Sequence, residues 1–391
     1  MALLGRVGRV GRALCAAIPP CRRLATSSAA AAAAAPAPPA AFPAVDPSVG
    51  GAPRLEAARA SPRASPRALL LGTVCYSESV ASIWKGVMRH FARRGLDVET
   101  VLFSSYERMN AALLARHIHI AWNGPLAHAR LLRLAGGAQN VLALGMRDSD
   151  RDFRSLCVVR RDAGIAHARD LAHRRLALGS VDSPQAYIAP LAALRGAGVP
   201  LDTLSVLRFD RDVGKHGDTA HGETGVLEAL ASGAAEAGYV SEYMWERALR
   251  DAPAGALAHL APCPALAVPA FDHCQFGALR GALSLHRARA FQGALLAMGD
   301  GSGHAEDAQT MALEGIRSAW LPSRGGALPG AGAPPGAPLP DAAAGYEAMA
   351  AALLDFGEPA VRWPGHLHTP RRHPFKHLVV DSSLVRDSFG C

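Results

Sequence analysis

His117-Ile118-His119-Ile120-Ala121-Trp122-Asn123-Gly124-Pro125-Leu126 reads as a short apolar strand that halts at Asn-Gly and hands over to a helix whose first turn begins with proline. A strand followed at once by a helix start aims N–H groups at the space beyond the strand's carboxyl end, a place that attracts anions. The same order returns at Leu178-Gly179-Ser180-Val181-Asp182-Ser183-Pro184-Gln185, where Ser183 suits an N-cap and Pro184 the first helical position. Two such turns in one chain imply two halves facing a shared oxyanion.

Working outward, residues 67–74 form an apolar strand. Residues 80–94 come next as a helix with Trp84, Val87, Met88 and Phe91 on one face, closed by Gly95. Strand 98–102, helix 106–115 and strand 118–122 complete a βαβαβ alternation, the mark of a largely parallel sheet. A second α/β unit is predicted from strands 155–159, 176–179, 204–209 and 237–240 and helices 184–196, 224–232 and 242–250. Residues 265–268 and a helix over 285–298 return to the first unit. Residues 325–340 are Gly/Pro-rich without periodicity and read as a surface insertion, and 346–354 as one short helix.

The chain has 391 residues, 50% hydrophobic and 19% charged, enough for two domains with a sizeable core. No apolar run reaches the roughly 20 residues that span a bilayer. Its net charge is +8, but residues 1–66 carry eight arginines against Asp46 and Glu56, and the tail after Phe356 is basic as well. The body between them is close to neutral. A phosphate-backbone reader needs a concentrated basic face, so nucleic acid is not an expected partner. The acid-poor, arginine- and alanine-bearing leader, with Arg22-Arg23 ahead of Thr26-Ser27-Ser28, has the composition of an organelle transit peptide. The mitochondrion is the expected address and the plastid the alternative. Seven widely spaced cysteines without a CxxC pair fit a reduced compartment rather than a disulfide framework.

In open α/β sheets the ligand crevice lies beyond the carboxyl ends of the strands. At that rim stand Tyr76-Ser77-Glu78-Ser79, Ser104-Ser105-Tyr106, Trp122-Asn123 and the Ser180–Gln185 turn. The polar loop Gly214-Lys215-His216-Gly217-Asp218 reads by default as a solvated loop; its functional reading offers His216 as a ligand-facing donor and Lys215 as a countercharge. His216, His221 and Glu223 match a metal site only loosely. Asp272-His273-Cys274 places a thiol beside a base, yet adjacent residues seldom point at each other productively, and a buried, inert cysteine is expected. The tail histidines 366, 368, 373 and 377 lie among prolines that break any regular ligand spacing.

The order of these segments resembles the phosphate/phosphite/phosphonate-type substrate-binding proteins of ABC transporters. The likeness runs over residues 69–320 and rests on HIHIAWNGPLAHAR, on the block from Met146 through LGSVDSPQAYIAP to Val199, and on VGKHGDTAHGETGVLEALASGAAEAGYV. It implies a two-lobed, periplasmic-binding-protein-like (type II) α/β fold, each lobe a mixed, mostly parallel sheet flanked by helices. Lobe one would comprise residues 67–152 plus 268–323 and lobe two 153–267. A leader and linker (1–66), a Gly/Pro-rich insertion (324–340) and a short helix with a basic tail (341–391) would flank them.

Carried over residue by residue, the resemblance implies ligand-binding roles for Tyr76, Ser77, Trp122, Asn123, Ser180, Ser183, Gln185, His216 and Glu242, with no cofactor and no metal. Pro184 and Gln185 depart from the family's run of hydroxyl residues, and Asp182 adds a negative charge beside it. The implied partner is a small oxyanion (phosphate, phosphite or an organophosphonate) held in the cleft. Such proteins hand their ligand to a permease, which an organelle leader does not fit. The alternative is an organelle enzyme on the same fold acting on a small phosphorylated or anionic metabolite, with His216, His273 or Cys274 as candidates. The thiamine-pyrimidine synthases are of that kind, but their cysteine-rich motif is missing here.

Overall fold

The computed structural model describes residues 68–299, 303–334 and 336–356. The leader, the linker up to residue 66 and the histidine-bearing tail lie outside these residues. The first part of the chain forms β1 (Leu69–Val74), α1 (Ser79–Arg93), β2 (Val98–Phe103), α2 (Tyr106–Leu114), β3 (Ile120–Asn123), α3 (Pro125–Leu134), β4 (Val141–Arg147), β5 (Ser155–Arg160), β6 (Arg175–Leu178) and α4 (Ala189–Gly196). Then come β7 (Ser205–Arg208), α5 (His221–Ala231), β8 (Ala237–Ser241), α6 (Glu242–Asp251), β9 (Leu260–Pro262), β10 (Gln275–Leu279), α7 (Leu285–Leu296), α8 (Ala305–Leu313), β11 (Trp320–Leu321) and α9 (Glu347–Phe356).

These strands build two sheets, ordered β11-β4-β10-β3-β1-β2 and β7-β6-β8-β5-β9. Parallel pairing joins β1 to β2 and β3, and β6 to β7 and β8. The remaining pairs are antiparallel. Each sheet is therefore mixed, and its antiparallel half arises where the chain changes lobe. β5 is the first strand laid down after the chain leaves lobe one, and β10 the first after it returns. The two crossings, between β4 and β5 and between β9 and β10, touch through a Phe153–Phe271 bridge.

Three features differ from the sequence expectation. Residues 265–268 do not return as a strand: Leu266 and Val268 pack in the lobe-two core, and the returning strand is β10. β4 has no counterpart in the sequence reading because both of its faces are buried, which removes the alternation that marks a strand. The Gly/Pro-rich stretch is a strap pinned to lobe one. Leu328 is buried and donates its N–H to Gln292 Oε1 at 2.8 Å, and Arg289 Nε donates to the Pro329 carbonyl at 2.6 Å. Beyond the strap, α9 puts Met349, Ala352 and Leu353 into the same core as Leu126 and Ala129 of α3 and Leu191 and Leu194 of α4, so it packs against both lobes.

The lobe-one core centres on aromatic rings. Phe276 lies 4.4 Å from Trp122, 5.2 Å from Phe291, 5.4 Å from Trp320 and 6.0 Å from Trp84, centroid to centroid. Trp84 arrives on the buried face of α1, with Val80, Ile83, Val87 and Phe91 at helical spacing. Phe276→Ala should cost about 3–5 kcal/mol in urea unfolding, while Leu134→Ala, 59% exposed, should stay within about 0.5 kcal/mol of the parent.

Candidate ligand-binding site

At the end of β6 the chain turns through Gly179-Ser180-Val181-Asp182-Ser183. Ser183 caps the helical segment beyond it, its Oγ accepting the Ala186 N–H at 3.2 Å. The first turn of that segment, Pro184–Ile188, is widened to π-type, with the N–H groups of Tyr187 and Ile188 both meeting the Ser183 carbonyl. The cause is legible in the chain. Pro190 has no N–H for the Ala186 carbonyl, which instead accepts Gly179 N–H at 2.9 Å. A Cβ on Gly179 would sit 2.7 Å from that of Ala186, so only glycine permits this closure.

The loop after β7 carries His216 into the same place. His216 (φ 53°) and Gly217 (φ 84°) are left-handed, and Asp182 Oδ2 holds the loop by accepting N–H bonds from Gly214 at 2.6 Å and His216 at 3.3 Å. Gly217 passes so close that a Cβ there would lie 2.5 Å from Ser183 Oγ and 3.0 Å from Gln185 Nε2. The loop docks on the opposite lobe. Tyr106 N–H donates to the Gly214 carbonyl at 3.2 Å, Lys215 Nζ to the Cys75 carbonyl and Tyr106 Oη–H to the Asp218 carboxylate. The Tyr106 and His216 rings stack at 4.5 Å, and His216 Nε2 lies 3.1 Å from Glu107 Oε1 and 3.3 Å from Arg130. Burial works against the charge on Glu107, but the hydrogen bond and charge of His216, with Arg130 beyond, hold its carboxyl at about 2.

Several buried side-chain atoms here have no protein partner among the described residues: Ser180 Oγ, Asp182 Oδ1, Gln185 Oε1, His216 Nδ1 and both amide atoms of Asn123. Such concentration is unusual, because buried polar groups are nearly always paired. Gln185 Nε2 donates to Glu223 Oε1 at 2.9 Å, and Glu223 Oε2 accepts the Ser241 N–H and hydroxyl at 2.5 and 2.7 Å.

The nine expected residues separate into groups. Ser183, Gln185 and His216 meet around Gly217. Tyr76, half-buried, feels the charges of Glu314, Arg147 and Asp218. Ser180 is buried one residue beyond Gly179, and Asn123 lies near His128 on the α3 side of the sheet. The structure places the other three apart. Trp122 is in the aromatic core, because neighbours on a strand face opposite ways and Asn123 takes the other face. Ser77 is exposed beside Ser79, and Glu242 forms a surface pair with Arg154 at 3.4 Å. Sequence reasoning put Tyr106 at the rim and Asp218 in the polar loop without a role, weighed Glu223 only as a loose metal ligand, and missed Arg147 and Glu314. Asp218 is two residues from His216, in a loop whose polarity reads as solvation until the opposite lobe is present.

A charge network lies within electrostatic reach of Asp218. Arg147 donates to Asp150 through Nε and Nη2 at 2.6 and 2.7 Å and to the Glu314 carbonyl at 2.8 Å, its guanidinium 5.4 Å from the Trp122 ring centroid. Asp150, His273 and Cys274 bring ligand-type atoms within 4.8 Å of one another, His273 Nδ1 lying 3.1 Å from Cys274 Sγ and 3.5 Å from Asp150. Arg147 already balances that carboxylate, so a dication would compete with the guanidinium. Burial and the Asp150 charge push the Cys274 thiol well up, which leaves it a poor nucleophile. His216, His221 and Glu223 do not converge. His221 pairs with Asp212 at 2.7 Å, His216 with Glu107, and Glu223 with Gln185 and Ser241.

The sequence profile of the ABC transporter phosphonate periplasmic substrate-binding proteins matches residues 74–320. The chain belongs to that family. Proteins of solved structure share its type II periplasmic-binding fold. PhnD1 from Prochlorococcus marinus (MIT 9301), in complex with methylphosphonate, aligns with a TM-score of 0.54 at 14% identity, over 75% of this chain and 99% of its own. XAC2383 from Xanthomonas citri aligns at 0.54 and 15% bound to ATP, over 74% and 98%. Bound to chloride it aligns at 0.52 and 16%, over the same shares. No curated protein matches the sequence. Among the described residues no helix is long and apolar enough to cross a membrane.

One buried acid sets a pH signature. Burial, with Asp150 and Asp218 adding and Arg147 opposing, raises the Glu314 carboxyl from its ordinary 4.5 to about 7. A raised carboxyl keeps its proton longer in the folded state, so its contribution is complete below the unfolded value and is lost as pH climbs to about 7. Glu314→Gln should flatten melting temperature against pH across that window and be at least as stable as the parent above it. An unchanged profile would contradict this assignment.

Proposed function

We propose that this protein binds a small phosphorus oxyanion (phosphate, phosphite or an organophosphonate) between its lobes and performs no chemistry on it. The observation carrying this reading is the seam where Tyr106 of lobe one meets His216 and Asp218 of lobe two, beside the capped Ser183 turn. A buried anion is tolerable only where several donors converge on it. Ser180 Oγ and His216 Nδ1 are buried there without a protein partner among the described residues. The Tyr106 hydroxyl stays protonated because burial and Asp218 hold its pKa well above the ordinary range, and its proton ties the two lobes together through Asp218. Family membership supports solute binding, and the methylphosphonate held by the Prochlorococcus relative supports the ligand class. The neutral thiol at Cys274 does not favour the enzyme alternative.

In a thermal-shift assay the full chain should gain stability with phosphate, phosphite or methylphosphonate. A ligand at about 100 times its Kd adds roughly 2.7 kcal/mol. His216→Ala should lose most of that gain without creating or abolishing any turnover. If none of the three ligands at millimolar concentration moves the parent's melting temperature, the reading is wrong.

A further inference from the structure

Cys157 and Cys263 stand more than a hundred residues apart in the chain, yet the sheet of lobe two sets them side by side. β5 and β9 run antiparallel with Val158 opposite Pro262. One step further along the same register Cys157 faces Cys263, whose N–H donates to the Cys157 carbonyl at 2.8 Å. On its other flank Cys157 faces Tyr239 of β8, and all three side chains belong to one core. Directly opposed residues send their side chains to the same face of a sheet, so the two sulfurs share a side. Opposed residues joined by such a bond have Cα atoms about 5.5 Å apart, inside the span of about 4.4–6.8 Å that a disulfide bridges. Both are free thiols in the structure.

The two differ in access. β9 is the edge strand of its sheet and only three residues long, and short edge elements open more readily than the strands inside. Cys263, 8% exposed against 1% for Cys157, is the thiol that an oxidant meets first. Burial pushes the Cys157 thiol up, so it does not lead the exchange.

We propose that Cys157 and Cys263 are a redox site, a reversible disulfide that closes residues 157–263, nearly all of lobe two, into a covalent ring. The inference rests on strand register and not on the identity of the ligand. The oxidant is a small disulfide such as oxidised glutathione. Cys263, as thiolate, attacks one of its sulfurs and expels a thiolate; Cys157 then attacks Cys263 Sγ and expels the second. The cysteines give up two protons and two electrons, and the reagent becomes two thiols. Hydrogen-bonded pairs hold their Cβ atoms toward the wide end of about 4.5–5.5 Å, beyond the usual reach of about 3.5–4.5 Å. The bond therefore draws the strands together and is readily reduced again. The ring contains the Ser183 turn and the His216 loop, and it constrains the unfolded chain far more than the folded lobe.

The full chain should be treated with oxidised glutathione, one portion then reduced with dithiothreitol, and both denatured, alkylated and mapped by mass spectrometry. Oxidation should give a peptide pair linked from Cys157 to Cys263 that dithiothreitol removes, and should raise the melting temperature by about 5–10 °C. Cys263→Ala should lose both the linked pair and the rise, whereas Cys75→Ala, which removes an exposed thiol, should keep both. The proposal is overturned if Cys157 and Cys263 remain alkylatable after oxidation, or if Cys263 ends only as a mixed disulfide or bound to another cysteine. A linked pair that leaves the melting temperature unmoved overturns it as well. Mapping of the parent decides the matter even if Cys263→Ala fails to fold.

Discussion

Tyr106 is the residue on which the rest of the site depends. It opens α2 of lobe one, capped by Ser105, whose Oγ accepts the Arg108 N–H at 3.3 Å, and from there it spans the cleft. Its ring lies on His216 and its hydroxyl on Asp218, while its own N–H holds the Gly214 carbonyl. A buried phenol needs a partner for its O–H, and here both the apolar and the polar half of the side chain find theirs in the other lobe. Together with Asp182, which accepts the Gly214 and His216 N–H groups, these contacts hold His216 in a left-handed conformation, which costs energy and persists only where surrounding contacts impose it.

Charge arrangement follows from that closure. The cleft gathers Asp182, Asp218, Glu223 and Glu314 from both lobes, and the arginines near them are tied to carboxylates. Neutral and backbone donors therefore have to carry much of any anion's binding. Ser180 and Ser183 hydroxyls, the widened turn after Ser183 and the imidazole fit that requirement better than a lysine-lined pocket would.

Much of the fold is legible in the sequence, and the reasons are specific. α1 is clear because Trp84, Val87 and Phe91 keep helical spacing, and the second α/β unit because a new apolar strand opens at Ser155. Ser183–Pro184 reads as a capped helix start, but not as a widened first turn, which depends on Pro190 seven residues after the cap. β4 and β10 stay hidden or misplaced since strands buried on both faces lose their period. Within the site, residues fixed by local turn chemistry (Ser183, Gln185, His216) are legible. Trp122 carries a ligand role in the sequence reading although strand alternation sends it and Asn123 to opposite faces. Asp218 and Arg147 gain meaning only from contacts across more than a hundred residues of chain, such as Tyr106 to Asp218, which no local pattern records.

The most direct test of the central claim is a crystal structure of the protein grown with methylphosphonate. The phosphonate should lie between the lobes, with its oxygens at hydrogen-bond distance, about 2.6–3.2 Å, from Ser180 Oγ and His216 Nδ1. A phosphonate seated on an outer surface, or Tyr106 and His216 found far apart with the ligand bound, would contradict the account.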